Sequence, residues 1–279
     1  MTELEARLPQ IPVLGISSPE IKTVRDLLQN KKTENGEKLF VCEGLWAAKK
    51  LIARKIRVTQ FLFCPEKIRT AEEWDECRML LDYAESGYRI SAKACAKISE
   101  RDGADACFIT AQMPKYKLSD LPLKESMVIM ILDGQEQPGN IGAILRSLDC
   151  AGGSFAIMTN PRVKITHPRL IRSSLGAAFM LPVTESPLPQ LFKWLAENQF
   201  RAVLTDLTAV KSYRDIDYSG RVAIVAGNEF KGISPVWREQ PFSVPVIIPM
   251  LGSCESLNVG FASTLVAYEA GLRQQAAAL

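Results

Sequence analysis

A single histidine, His167, stands among the 279 residues. A metal site built on several histidines is therefore excluded, and a serine-histidine-aspartate triad would have one candidate base. The seven cysteines, Cys42, Cys64, Cys77, Cys95, Cys107, Cys150 and Cys254, are widely spaced, odd in number and without a Cys-x-x-Cys pair. That pattern argues against a disulfide framework or a zinc ribbon and fits a reduced, cytoplasmic setting. No Gly-x-Gly-x-x-Gly turn follows the first strand of either half of the chain, and no P-loop occurs, so the common nucleotide-binding fingerprints are missing. No segment offers the roughly 18 uninterrupted apolar residues of a membrane span. The start, Met1-Thr-Glu-Leu-Glu-Ala-Arg-Leu, lacks the basic head and apolar run of a secretory signal. The expectation is a protein that holds no metal, does not cross a membrane and is not exported.

What is present is the composition of a globular protein, 47% hydrophobic and 23% charged, long enough for two domains with their own cores. The net charge is only +3, but it is unevenly placed: Lys22 to Arg69 holds 12 Lys or Arg against 5 Asp or Glu, whereas residues 70–120 hold 7 against 10. A local basic excess is what draws phosphate backbones, although a solvated helix face would look similar. In that first region a helix is expected over residues 16–30, then a polar turn from Lys31 and Lys32 to Gly36. Leu39–Cys42 reads as a strand, Leu45–Ala53 as a helix and Val58–Cys64 as a second strand. A helix around Trp74–Ser86, then Ser91–Ile98 and Phe108–Ala111, completes a small α/β domain over 1–113. Residues 114–126, with two prolines and repeated charges, form the linker.

From residue 127 to 279 the texture changes. Apolar strands at Met127–Leu132, Phe155–Met158, Ala202–Thr205, Val222–Ala226 and Val244–Ile248 are separated by helices at Ile141–Ala151, Leu188–Asn198 and Leu257–Leu272. Continuous apolar strands between helices predict a parallel sheet covered on both faces, and ligands of such sheets gather at the carboxyl ends of the strands. The polar, glycine-rich segments lie there: Asp133-Gly134-Gln135-Glu136-Gln137-Pro138-Gly139-Asn140 after the first strand, Gly227-Asn228-Glu229-Phe230-Lys231-Gly232 after the fourth, and Pro249 to Asn258 after the fifth. Gln274–Leu279 reads as a frayed tail.

These three segments, in this order, resemble the SpoU (TrmH) branch of the SPOUT RNA methyltransferases. The first is similar to the family's Asp-Pro-Gly-Asn loop with an arginine six residues later, here Asn140 to Arg146. The second is Ala226-Gly227-Asn228-Glu229 with Gly232, and the third Ile248-Pro249-Met250 leading to Ser256-Leu257-Asn258. Arg172-Ser173-Ser174-Leu175-Gly176-Ala177 resembles a further family element. The likeness covers about residues 127–272, with two departures: Gln137 stands where aspartate is common, and Val259-Gly260-Phe261-Ala262 replaces Val-Ser-Val-Ala. The first part, with Phe40-Val41-Cys42-Glu43-Gly44, looks like the L30e-like substrate domain that many members carry.

The resemblance implies a C-terminal α/β domain tied in a deep trefoil knot, homodimerisation through that domain, and S-adenosyl-L-methionine as cofactor. The implied substrate is a ribose 2′-hydroxyl of RNA, most readily 23S ribosomal RNA. A tRNA 2′-O-methyltransferase and an antibiotic-resistance rRNA methyltransferase are rivals within the class, and a non-catalytic RNA-binding ribosome-assembly protein is the rival outside it. Implied catalytic residues are Asn140, Arg146, Glu229, Ser256 and Asn258, with Arg146 acting either as base or as electrostatic stabiliser of the alkoxide. Thr205, Gly227, Asn228, Ile248, Ser256 and Leu257 are the implied cofactor contacts. Lys31, Lys32, Arg162, Lys164, Arg169 and Arg172 are candidates for holding RNA phosphates, and His167 lies among the last four.

Overall fold

The structure is a computed structural model and describes residues 3–31, 37–99 and 106–277. Lys32, the rest of the expected turn through Gly36 and the last two residues of the expected tail lie outside the described residues. The chain divides into two compact units, Met1–Pro114 with Thr166–Gly176, and Lys115–Ile165 with Ala177–Leu279.

In chain order the first unit holds α1 (Glu3–Arg7), α2 (Pro19–Leu28), β1 (Leu39–Glu43), α3 (Ala48–Ala53), β2 (Val58–Phe63), α4 (Ala71–Tyr83), β3 (Gly87–Arg89), α5 (Ala92–Ile98) and β4 (Cys107–Gln112). Its sheet runs β1-β4-β2-β3, antiparallel except for the parallel β2–β3 pair. α2 buries Ile21, Val24, Leu27 and Leu28, one apolar stripe at helical spacing. α4 begins three residues before the expected Trp74, because Thr70 and Glu73 form a capping box that satisfies the first-turn N–H groups. Leu45–Ala47 is a 3-10 turn rather than the start of a helix. The short strand β3 was not expected; three half-buried residues carry too little alternation to mark it.

The second unit continues with β5 (Met127–Asp133), α6 (Pro138–Cys150) and β6 (Ala156–Thr159). The chain then enters α7 (Pro168–Ser174), which is grouped with the first unit and contacts β1. It returns through α8 (Ala177–Met180), β7 (Val183–Glu185), α9 (Leu188–Glu197), β8 (Arg201–Thr205), β9 (Arg221–Ala226), β10 (Ser243–Val246) and α10 (Val259–Ala277). The six strands form one sheet, order β10-β8-β9-β5-β6-β7, and every pairing is parallel, as the apolar runs predict. All seven residues of β5 are buried. From β5 the chain builds outward to β6 and β7, then crosses to the other side for β8, β9 and β10. This reversal opens a crevice at the carboxyl ends beside β5.

α10 packs on α6 through small residues. A Cβ on Gly271 would lie 2.2 Å from the Ala151 carbonyl oxygen, and Thr264 Oγ1 donates to Ser147 Oγ at 2.7 Å. The expected start at Leu257 is corrected to Val259, and the expected fraying from Gln274 is corrected to helix through Ala277. Gln274 holds the last turn down by donating to the carbonyls of Tyr218 and Gly220 at 2.8 and 2.9 Å.

Candidate active site

The loops after β5 and β9 lie side by side because their strands are paired in register, with Leu132 opposite Ala226. Asp133 ends β5 buried, and its carboxylate accepts from Asn160 Nδ2 (2.9 Å), the Ser234 N–H (3.0 Å) and Trp237 Nε1 (3.1 Å). A buried carboxylate so surrounded anchors segments far apart in sequence to one strand end. Gln135, also buried, donates from Nε2 to the Gly227 carbonyl. Asn228 Nδ2 donates to the Gly134 carbonyl at 2.8 Å.

Glu229 is the hub. Its carboxylate accepts from the N–H groups of Glu136 (3.1 Å) and Gln137 (3.0 Å) and from Asn140 Nδ2 (3.0 Å). Asn140 Oδ1 in turn accepts from Asn258 Nδ2 at 3.2 Å, and Asn258 Oδ1 accepts from the Gly260 N–H at 2.8 Å. One chain of hydrogen bonds thus joins all three polar loops. Asn258, not Ser256, caps α10, because the helix begins at Val259 and only the residue before it can reach the first-turn N–H groups.

Burial works to raise the Glu229 pKa, but the backbone N–H of Glu136 and the other donors outweigh it and hold the carboxyl below the ordinary glutamate range. For a depressed carboxylate the contribution to stability is fully present above the unfolded pKa and is lost as pH falls through the folded one. Glu229→Gln is accordingly expected to flatten the acid limb of a stability-versus-pH curve measured by urea unfolding. A variant whose acid limb matches wild type would contradict this.

Beside the network, a cavity of about 580 Å³ is lined by Thr205, Gly227, Asn228, Ile248, Ser256 and Leu257, together with Glu229 and Asn258. Gly227 has no room for a side chain, since a Cβ there would lie 2.4 to 2.6 Å from backbone atoms of Gly232 and Ile233. The loop carrying Ser256 and Leu257 is exposed. Arg146, four residues before the end of α6, is exposed, and its side chain makes no hydrogen bond or ion pair with the other described residues. It is not among the residues lining the cavity.

The candidate phosphate contacts are scattered. Lys31 is paired with Asp26 at 2.8 Å. Arg162 and Lys164 are exposed in the second unit, and Arg169 is exposed on α7. Arg172 donates to the buried Glu43 at 3.2 Å within the first unit. His167 caps α7, its Nδ1 accepting from the Arg169 N–H at 3.1 Å.

Sequence reading missed a further ion pair at the cavity wall. Asp206, its side chain 6% exposed, accepts from Arg238 at 2.7 and 2.8 Å. Burial opposes ionisation of Asp206, yet the Thr208 N–H and hydroxyl and the Arg238 guanidinium hold its pKa below the usual value. A carboxylate at the end of a parallel strand was a findable signal; Arg238, 32 residues on in irregular chain, carried none.

A parallel sheet with a reversal of strand order and a cavity at its carboxyl edge defines a ligand-binding α/β protein. The SpoU rRNA Methylase family profile matches residues 127–268, and the chain belongs to that family. Among relatives, a 23S rRNA (uridine(2479)-2'-O)-methyltransferase of Streptomyces viridochromogenes is 33% identical over 57% of this chain and 57% of its own length, so this match spans little more than half of that relative. The 23S rRNA (guanosine(2553)-2'-O)-methyltransferase RlmP of Bacillus subtilis is 25% identical over 91% of this chain and 97% of its own. The crystal structure of an RNA 2'-O ribose methyltransferase superposes with a TM-score of 0.80 at 28% identity, covering 95% of this chain and all of that one. The SpoU methyltransferase AviRb of S. viridochromogenes, solved with AdoMet, gives 0.78 at 26% identity, covering 92% and 98%. Among the described residues no helix is long and apolar enough to cross a membrane, and no group of three or more His, Cys, Asp or Glu is placed to hold a metal ion.

Proposed function

We propose that this chain transfers a methyl group from S-adenosyl-L-methionine to a ribose 2′-hydroxyl of 23S ribosomal RNA. The observation that carries the reading is the hydrogen-bond chain Glu229–Asn140–Asn258, which binds three loops into the rim of a cavity of about 580 Å³, the size of a small-molecule site. The cavity suits the cofactor. Its wall at Gly227 is bare backbone with no room for a side chain, so a ligand meets main-chain groups there, and Thr205, Asn228, Ile248, Ser256 and Leu257 complete the wall. When bound, the cofactor supplies an electrophilic methyl carried on a sulfonium.

The protein's own residues supply the rest. A ribose hydroxyl is a weak nucleophile, and a guanidinium beside it favours the oxyanion without itself exchanging a proton, the hydroxyl proton passing to solvent. Arg146 is available for this, since no acidic residue among the described ones holds it. Glu229, Asn140 and Asn258 position the loops, and Ser256, exposed at the cavity wall, is placed to hydrogen-bond a ligand. The parallel sheet and the loop order support the further reading of 127–279 as a knotted SPOUT domain, joined by linker 114–126 to an L30e-like substrate domain over 1–113. Exposed cations at Lys31, Arg162, Lys164, Arg169 and Arg172 would meet phosphates in a cytoplasmic RNA substrate.

The second apolar face of α10 supports a homodimer through this helix. Phe261, Leu265, Tyr268 and Leu272, at helical spacing, are 41 to 68% exposed, a stripe that a second copy would bury. Replacing Phe261 and Leu265 together with aspartate should convert the dimer to monomer in sedimentation equilibrium; an unchanged mass would refute the interface. The activity itself is tested by incubating the protein with labelled cofactor and total RNA from cells lacking its gene, then mapping the labelled nucleotide. Label on a 23S ribose supports the reading. Label on a base overturns the ribose assignment, label on tRNA the choice of RNA, and no label the enzyme itself.

A further inference from the structure

The turn after β9 is tied down at the point where its most apolar side chain is most exposed. Asn228 and Gly232 exchange both backbone hydrogen bonds, each 2.9 Å. Inside that bridge Asn228 Oδ1 accepts from the N–H groups of Phe230 and Lys231, both at 2.9 Å. The left-handed φ of Gly232, +70°, closes the turn at a position glycine tolerates. Phe230 therefore sits on a hydrogen-bonded turn, yet the residue is 80% exposed at the cavity wall. By contrast, Phe155, Phe179 and Phe200 of the same unit are at most 2% exposed. Lys231 beside it is exposed and makes no ion pair with the other described residues.

An exposed ring costs hydration free energy unless a ligand covers it. A ring beside a cation on a pre-ordered turn is what binds an unpaired nucleotide: the ring face stacks on the base and the ammonium meets a phosphate. The placement is specific, because Phe230 directly follows Glu229, the hub of the loop network. Sequence-specific RNA recognition targets unpaired nucleotides whose bases are splayed out, and a protein ring there replaces the lost base contact.

We infer that Phe230 is the stacking platform for the base of an unpaired nucleotide of the substrate RNA, with Lys231 on its phosphate. This rests on the methyl-transfer reading above. The wild-type arm separates the two: wild type that neither binds S-adenosyl-L-methionine nor methylates RNA defeats that reading and this inference with it. With an active wild type, Phe230→Leu and Phe230→Ala should raise the RNA KM by about 10- to 100-fold. Because Phe230 also lines the cavity, the S-adenosyl-L-methionine Kd, by calorimetry, should rise far less than the RNA KM, the sedimentation mass should stay unchanged, and Phe230→Trp should restore the RNA KM. Lys231→Gln should reduce the slope of log affinity against log salt by about one. A leucine variant equal to wild type, a cofactor Kd that rises in step with the RNA KM, or loss of the dimer would each overturn the inference, the last two by assigning the ring to the cofactor or to a second copy.

Discussion

Arg146→Ala should lower methyl transfer by about 10³-fold while leaving S-adenosyl-L-methionine binding within about twofold, a loss of about 4 kcal/mol of transition-state stabilisation. The separation is expected because Arg146 does not line the cavity and has no structural partner to lose among the described residues. An exposed, unpaired helix side chain carries little folding free energy, so the urea midpoint should also stay within experimental error of wild type. Arg146→Lys keeps the charge but not the planar fork, and only part of the rate should return. Single-turnover kinetics with saturating RNA reads the chemical step directly. An alanine variant within tenfold of wild type would remove Arg146 from the mechanism.

Gly227→Ala should act on the opposite property, cofactor affinity. Its Cβ would press on backbone of Gly232 and Ile233 at 2.4 and 2.5 Å, and backbone cannot rotate aside as a side-chain tip can. Relief requires the Gly227–Gly232 loop to open, which breaks the Asn228–Gly232 pair and moves the Gly227 carbonyl from Gln135. Overpacking of this kind costs roughly 1–3 kcal/mol of stability. The cavity wall moves with the loop, so affinity for S-adenosyl-L-methionine in calorimetry should fall by at least about 100-fold, the order expected when a loss of about 3 kcal/mol falls on one site. Glu229 lies in the same loop, so the RNA rate should fall as well. Unchanged cofactor affinity would show that the loop yields without moving its wall.

Five of the six β-strands of the second unit were legible because each is a short apolar run between turn residues. β5, buried at all seven positions, is the clearest case. Loop order and loop chemistry were equally legible: Pro138 in the first turn of α6, glycines where backbone approaches closely, and polar residues kept at strand ends. Short elements were not. α7, α8 and β7 are each too brief to show a period, and their form depends on what they pack against.

Local sequence therefore determined which segments are strands, which are helices and which loops carry chemistry, since propensity, period and turn residues act over a few neighbours. Only tertiary structure decided who meets whom. That Glu229 receives Asn140, that Asn140 receives Asn258, and that Asp206 pairs with Arg238 depend on the strand order β10-β8-β9-β5-β6-β7. Strand order is a long-range choice, set by which apolar faces cover one another, and no spacing along the chain encodes it.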